Sequence, residues 1–232
     1  MSSSPTSHDV AALSPTPRTR IRRLSARALL DRDALFDVFD SALICHLGLM
    51  MDGHVVVLPT VFATDPGGPD DGGTLYLHGS VAARSLVVAP DQDICVTCTQ
   101  VDGLVLARSG FHHSMNYRSA VVIGRGRLVT DQEEKRGALD LIVDHAVPGR
   151  ARTLRSHTAK ELAATSVIAL PLREASVKQR SGGPVDDADD VAAGIWAGVL
   201  PTHLVAGPLE VAEDAAGIPV PADVLAVAEE LR

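Results

Sequence analysis

Thr74-Leu-Tyr-Leu-His-Gly-Ser-Val-Ala-Ala-Arg-Ser85 decides how the rest of the chain is read. It predicts a short strand ending at His78-Gly79, a cap at Ser80, and one or two turns of helix carrying Arg84. A strand that breaks at glycine into a capped helix leaves backbone N–H groups without partners, and the helix dipole favours an anion beside them. Long helical side chains lean towards the N-terminus, so Arg84 could reach the same anion. The outline is that of a phosphate cradle, although an ordinary strand-to-helix junction with a surface arginine looks the same.

Working outward, the neighbouring segments are also strands. Residues 42–48 and 54–62 flank Met51-Asp-Gly53, the signal of a hairpin, with Pro59 marking an edge or bulge in its second strand. Residues 94–100 and 104–107 surround Asp102-Gly103, and 120–128 and 166–172 are further β runs. Two helices interrupt them. Leu35, Val38, Phe39 and Ala42 recur at helical spacing after a cap at Asp31. Leu139, Ile142, Val143 and Ala146 follow a capping box expected from Thr130 and Glu133 and stop before Pro148-Gly149. About six strands joined by short turns cannot form a doubly wound parallel sheet, which needs a helix between successive strands. The expected class is mainly β with peripheral helices, closed as an antiparallel barrel.

The bulk numbers bound the function. The 232 residues are 46% hydrophobic, with mean hydropathy +0.15, ample for a buried core. A net charge of -8 and a pI near 5.5 argue against nucleic acid, whose affinity comes from clustered Lys and Arg. No apolar run reaches the roughly 20 residues that span a bilayer, and the first 15 residues lack a signal-peptide core. A cytoplasmic protein with no membrane partner is expected. Cys45, Cys95 and Cys98 give no even disulfide framework. Cys95 and Cys98 lie three apart on a strand, face opposite ways, and are read as structural thiols.

Three stretches invite a specific chemistry. Arg18, Arg20, Arg22, Arg23 and Arg27 make the densest positive patch, either an arm laid over the domain or a dock for an acidic surface or cofactor phosphate. His112-His113 lacks a nearby carboxylate or thiol to complete a metal set, so no metal is assigned, and the pair is read as a polar pocket wall. Asp186-Asp-Ala-Asp-Asp190 has the composition of a cation site and reads as a solvated acidic loop.

Taken in order, several stretches resemble the pyridoxamine 5'-phosphate oxidase-like flavoproteins with an FMN-binding split barrel, in the branch related to nitroimidazole reductases. They are Leu75-Tyr-Leu-His-Gly-Ser80 with Arg84, Val101-Asp-Gly-Leu-Val-Leu-Ala-Arg-Ser109, Phe111-His-His-Ser-Met-Asn-Tyr-Arg-Ser119, Glu134-Lys135 with Pro148-Gly-Arg150, and Lys178-Gln-Arg180 through Trp196-Ala-Gly-Val-Leu-Pro201. The resemblance implies an antiparallel split β-barrel over residues 19–172; the Ser-, Pro- and Thr-rich residues 1–18 before it, without apolar period, are read as a mobile tail. An arm over 173–232 would pack on the barrel or on a dimer partner. It further implies a homodimer with FMN in a groove between protomers. Leu58, Pro59 and Thr60 would read the ring edge by backbone, and Arg84, Ser85, Arg118 and Ser119, with Tyr117, would hold the phosphate. His78 would lie near the ribityl chain or ring, and Trp196 would cover the ring, close the dimer seam, or sit in the core. Ala83 stands where close relatives are expected to have a serine. The implied activity is an FMN-dependent oxidoreductase acting on a small organic substrate, with His112 or His113 on the substrate wall. The alternatives are a flavin-binding or sensing protein without turnover, or the same barrel holding a deazaflavin or haem.

Overall fold

A computed structural model describes residues 12–14 and 16–232. The strands fall into two antiparallel sheets. The larger runs β1(Ala28–Leu29), β10(Ala175–Arg180), β7(Ser114–Gly124), β6(Ile94–Leu106), β2(Cys45–Met51), β3(His54–Thr60), with β11(Gly198–Pro201) added to the far half of β6. The smaller runs β4(Phe62–Asp65), β5(Thr74–Ser80), β9(Thr165–Pro171), β8(Arg127–Leu128). The chain passes from one sheet to the other at Val61, between β5 and β6, between β7 and β8, and between β9 and β10. The protein is therefore mainly antiparallel β with helices at its periphery. No hydrogen-bonded pair among the described residues closes either sheet into a barrel.

Both faces of β5 are buried, which explains its run of apolar residues. Leu75 and Leu77 meet Leu47, Val96, Val122 and Val177 of the large sheet in the main core, together with α1(Asp33–Asp40). Tyr76 points the other way, into a second core built with Ala138, Leu139 and Ile142 of α3(Gln132–Ala146) and Leu162 of α4(Ala159–Ala164). The result is three layers: large sheet, small sheet, helices. Phe62 joins them, edge-on to Phe39 at 5.6 Å and tilted against His145 at 4.6 Å. Its full burial contributes roughly 1.5–3 kcal/mol.

The β2–β3 hairpin forms as expected. Asp52 and Gly53 both have positive φ, 52° and 81°, the turn that matches strand twist. Elsewhere the elements differ from the sequence reading. Asp102-Gly103 does not separate two strands; β6 is continuous, and Asp102 is the extra residue of a bulge between Val101 and Gly103. The cap of α3 is Asp131, whose carboxylate accepts from the N–H groups of Glu133 (3.0 Å) and Glu134 (2.8 Å), so the Thr130 box does not form. A capping box does form at Thr158 and Glu161. The strand at the opening stretch runs through Ser80, whose Oγ accepts from Ala82 N (3.2 Å) rather than capping the helix. The helix, α2(Arg84–Val88), starts after Ala83.

The sheet also continues past Leu172. β10 sits between β1 and β7, with Ala175 and Val177 fully buried, so the β domain extends to Arg180 rather than giving way to an arm at 173. Beyond it α5(Ala188–Ala192), β11 and α6(Ala222–Glu230) are linked by extended segments. Of the tail expected over 1–18, residues 1–11 and Pro15 lie outside the described residues. Leu13 is buried and Ser14 N donates to Ala175 O (2.7 Å), so that part is docked. Among the described residues no helix is long and apolar enough to cross a membrane.

Candidate functional site

The residues singled out from the sequence separate into two groups. The first follows β3. Among the described residues this strand pairs with β2 alone and is the free edge of the large sheet, so one row of its backbone groups has no partner strand there. Leu58 and Thr60 are half-buried and Pro59 is exposed at its end. One residue later β4 begins, and Phe62 pairs with Leu77, the neighbour of His78. His78 is half-buried, its Nδ1 is shielded from solvent with no partner, and burial lowers its pKa below the ordinary histidine value. At the other end of β3, Arg84 bonds through its guanidinium to Asp52 in the hairpin turn, with Nε to Oδ2 at 3.3 Å. Both side chains are 61% exposed. Ser85 is half-buried beside Arg84. The free edge of β3 therefore runs between Arg84 at one end and His78 at the other.

On the outer face of the same hairpin lies an apolar cavity of about 390 Å³, lined by Met50, Val55, Val57, Cys95 and Ile123 with His46. Cys95 faces this cavity while Cys98 is buried in the core, as their spacing requires. Burial pushes the Cys45 thiol up to about 12 and Cys98 higher still, which leaves both inert as nucleophiles.

The second group lies along the β6–β7 hairpin, from its middle to its tip. Arg118 donates to Asp102 through NH2 (2.9 Å) and Nε (3.2 and 3.3 Å) and to Ser41 Oγ through NH1 (3.3 Å). Ser119, its neighbour, bonds Lys178 O at 3.4 Å. Adjacent residues on a strand face opposite ways, so the Arg118 and Ser119 side chains cannot grip one phosphate together. Nor do they reach Arg84. β7 lies three strands from β3. Arg118 pairs with Gln100, beyond the His46–Thr97 pair, whereas Asp52 follows the opposite end of β2. Strand rise and spacing then separate Arg118 from Arg84 by on the order of 25 Å or more. The four-residue phosphate set expected from the resemblance is not assembled within one chain.

Tyr117 is half-buried between Val101 and Arg180. Trp196 is 70% exposed, which rules out a core tryptophan. A Cβ on Gly198 would lie 2.9 Å from the Trp196 ring, so this glycine is what lets the ring rest on the entry to β11. His113 Nδ1 bonds Ser109 O at 2.8 Å and the side chain is exposed. His112 is half-buried, 3.4 Å from Asp187.

The acidic run is not a solvated loop throughout. Asp186 has no exposed side-chain surface and accepts from Arg108 N (2.9 Å) and Arg108 NH1 (2.8 Å). Burial alone would raise the Asp186 pKa, yet the Arg108 backbone N–H and guanidinium hold it below the usual carboxylate value. Nor is His112 remote from carboxylates: donor atoms of His112, Asp187 and Asp190 lie within 4.8 Å of one another. The partners come from 75 residues further on, which spacing in sequence cannot show. Asp52, Asp102 and Asp186 are the residues sequence reasoning missed, and each is visible only once the strands are in register.

A family model described as pyridoxamine 5'-phosphate oxidase matches residues 31–179. The chain is 36% identical to the flavocytochrome Anf3 from Azotobacter vinelandii, whose structure superposes with a TM-score of 0.83 over 95% of this chain and 99% of that one. It is 37% identical to an FAD and heme binding protein from Mycobacterium smegmatis, with a TM-score of 0.79 over 86% of this chain and 96% of that one. Comparison with curated proteins gives no match.

Proposed function

The chain belongs to the pyridoxamine 5'-phosphate oxidase family, and on that premise we propose that it is a flavin-dependent oxidoreductase acting on a small organic substrate. The observation that carries this reading is the free edge of β3 held between Arg84 and His78. A flavin needs a cation for its phosphate, backbone groups along its ring edge and an apolar surface for its face. Arg84 supplies the first, the Leu58–Thr60 end of β3 the second, and the cavity beside Val55 and Val57 the third. The residues fit the group. The two similar structures described above, named for a flavocytochrome and for FAD and heme binding, support the same assignment.

The second group of residues enters through a partner. Arg118, Ser119, Tyr117, Trp196 and the two histidines are too far from Arg84 to share its ligand in one chain, so the proposed assembly is a homodimer. In it the hairpin tip of one protomer faces the β3 edge of the other, completing the split-barrel groove. Exposed Met50, Val55 and Val57 on the sheet and Trp196, Leu204 and Val205 beyond it are the apolar surfaces such a dimer would cover.

When bound, the flavin supplies the electron or hydride transfer. The chain's own residues bind and orient: Arg84 neutralises the phosphate, His78 offers its unpaired Nδ1, and His112 or His113 lines the substrate side. FMN is the cofactor proposed, with FAD as the variant favoured by the relatives' names. Haem as a second group is the alternative those names support. The three free thiols suit the reducing cytoplasm.

The test is the absorption spectrum of purified protein, expected to show flavin maxima near ~370 and ~450 nm, with a Soret band in addition if haem is held. The mass of the released cofactor separates FMN from FAD. Reduced nicotinamides should bleach the flavin, and light scattering should return twice 24.3 kDa. A colourless protein sinks the flavin reading. A flavin that no donor reduces shifts it to a carrier or sensor, and a monomer removes the shared groove.

A further inference from the structure

Along the arginine-rich segment lies an open cleft that the flavin reading does not use, with Arg20 and Arg22 exposed. Its volume is about 570 Å³, within the range of small-ligand sites, and it lies between Ser14, residues 16–25 and the edge strand β1. Arg20 and Arg22 line it, with Ser14 and Ser25 on its rim and Ile21 and Leu30 as apolar wall. Among the described residues no carboxylate lines it, in a chain whose net charge is -8. Two neighbouring cations are engaged. Arg18 is taken by Asp93 and Glu174, and Arg32 by the carbonyls of Gly72, Leu172 and Arg173. Among the described residues neither Arg20 nor Arg22 has an acidic partner.

A second observation points the same way. The Ser14 Oγ is shielded from solvent and has no hydrogen-bond partner. Ser14 also holds a left-handed backbone, φ 61°, a conformation costly for a non-glycine residue, fixed by its N–H bond to Ala175 O (2.7 Å). A buried hydroxyl without a partner is unfavourable by itself. A shift of the neighbouring atoms that opened it to the cavity would let a ligand oxygen complete it.

We propose that this cavity is an anion site for a phosphorylated ligand of nucleotide size, with Arg20, Arg22 and the Ser14 hydroxyl on the phosphate oxygens and Ile21 and Leu30 against the apolar part. Two arginines suit a diphosphate better than a single carboxylate, since each guanidinium can engage a separate pair of oxygens. The cavity is too large for an inorganic ion alone. The site stands independently of the flavin assignment, because none of its residues belongs to the β3 edge or to the hairpin tip.

The test titrates the purified full-length protein, as isolated, with ADP, with inorganic pyrophosphate and with adenosine as the uncharged control. ADP and pyrophosphate should bind, with ADP the tighter and adenosine at least roughly tenfold weaker than ADP, on the scale of charge-assisted hydrogen bonds. Arg20→Ala with Arg22→Ala should weaken ADP by roughly 10- to 100-fold and leave adenosine unchanged, while the Lys double variant retains part of the affinity. Ser14→Ala should cost a smaller factor. FAD and FMN identify the source of the phosphates. A loss for FAD but not FMN assigns the site to a flavin's diphosphate, and a loss for ADP alone assigns it to a separate nucleotide. The proposal is overturned if ADP binds no tighter than adenosine, or if the double variant, with an unchanged unfolding midpoint, binds ADP as well as the parent. Should the double variant not fold, the two single variants carry the same comparison. A protein isolated without flavin would end the oxidoreductase reading and leave this titration fully readable.

Discussion

At the hairpin tip, Arg108 and Asp186 meet with the carboxylate wholly enclosed, and β11 lies against the bulge at Gly103 so closely that a Cβ there would stand 3.0 Å from Leu200 O. At the opposite end of the large sheet, Arg84 and Asp52 meet in the open, each 61% exposed, and at the far end of the β3 edge from them the His78 Nδ1 has no partner among the described residues. The two ends use similar side chains for different ends of the energy scale. A buried pair is costly to break because it leaves a charge without solvent or partner. An exposed pair contributes little, and water or a ligand replaces either member at small cost. The hairpin tip is thus built to stay as it is, and the α2 end is built to exchange a partner.

That contrast is most exposed to failure at Arg84. If Asp52 is only a resting partner, Arg84→Ala should weaken FMN roughly 10- to 100-fold, the loss expected for a charge-assisted bond to phosphate. Riboflavin affinity should stay nearly constant, and the unfolding midpoint of flavin-free protein should not move. Equal losses for FMN and riboflavin would show that Arg84 acts on the fold, and the two ends would then be alike.

Gly103 sharpens the other side. Gly103→Val places methyl groups against Leu200 O, Val199 and Pro201, and overpacking of this kind costs roughly 1–3 kcal/mol. The expected outcome is a lower unfolding midpoint with faster amide exchange at residues 198–201 and little change at β2–β3. Exchange that rises uniformly across the large sheet would mean that β11 is not a separate clamp.

The α2 end was the more legible one. The Asp52-Gly53 turn, the strand at Leu75-Tyr-Leu77 and the helix carrying Leu35, Val38 and Phe39 are all encoded within a dozen residues, so local pattern suffices. Leu58 to Thr60, His78 and Arg84 came together because a hairpin and a single crossover connect them. The hairpin tip depends on distant pairs. Asp102-Gly103 has the same composition as a turn, yet it is a bulge inside β6, with Gly103 packed closely against β11, nearly a hundred residues later. Asp186 looked solvated because Arg108 lies 78 positions upstream. β10 looked like an arm because Ala175-Ser-Val177 is a short apolar run whose burial comes from β1 and β7.

The smallest effect belongs to His78, and its sign follows from burial. Desolvation lowers the His78 pKa in the folded chain, so the folded state keeps the ring neutral where the unfolded chain, at an ordinary value of about 6.5, begins to take a proton. Wherever the unfolded state binds more protons than the folded state, stability falls as pH falls. The contribution of His78 is therefore fully present above about pH 6.5, is lost as pH drops from there towards the lower folded value, and levels off below it. His78→Asn removes the titration while keeping a polar side chain of similar reach. In urea unfolding of flavin-free protein, the variant should show a shallower fall in stability than the parent over that window, with the two converging in slope at higher pH. If the parent and His78→Asn curves run parallel over that window, the orphaned nitrogen beside the β3 edge carries no such cost, and the contrast fails at its most sensitive point.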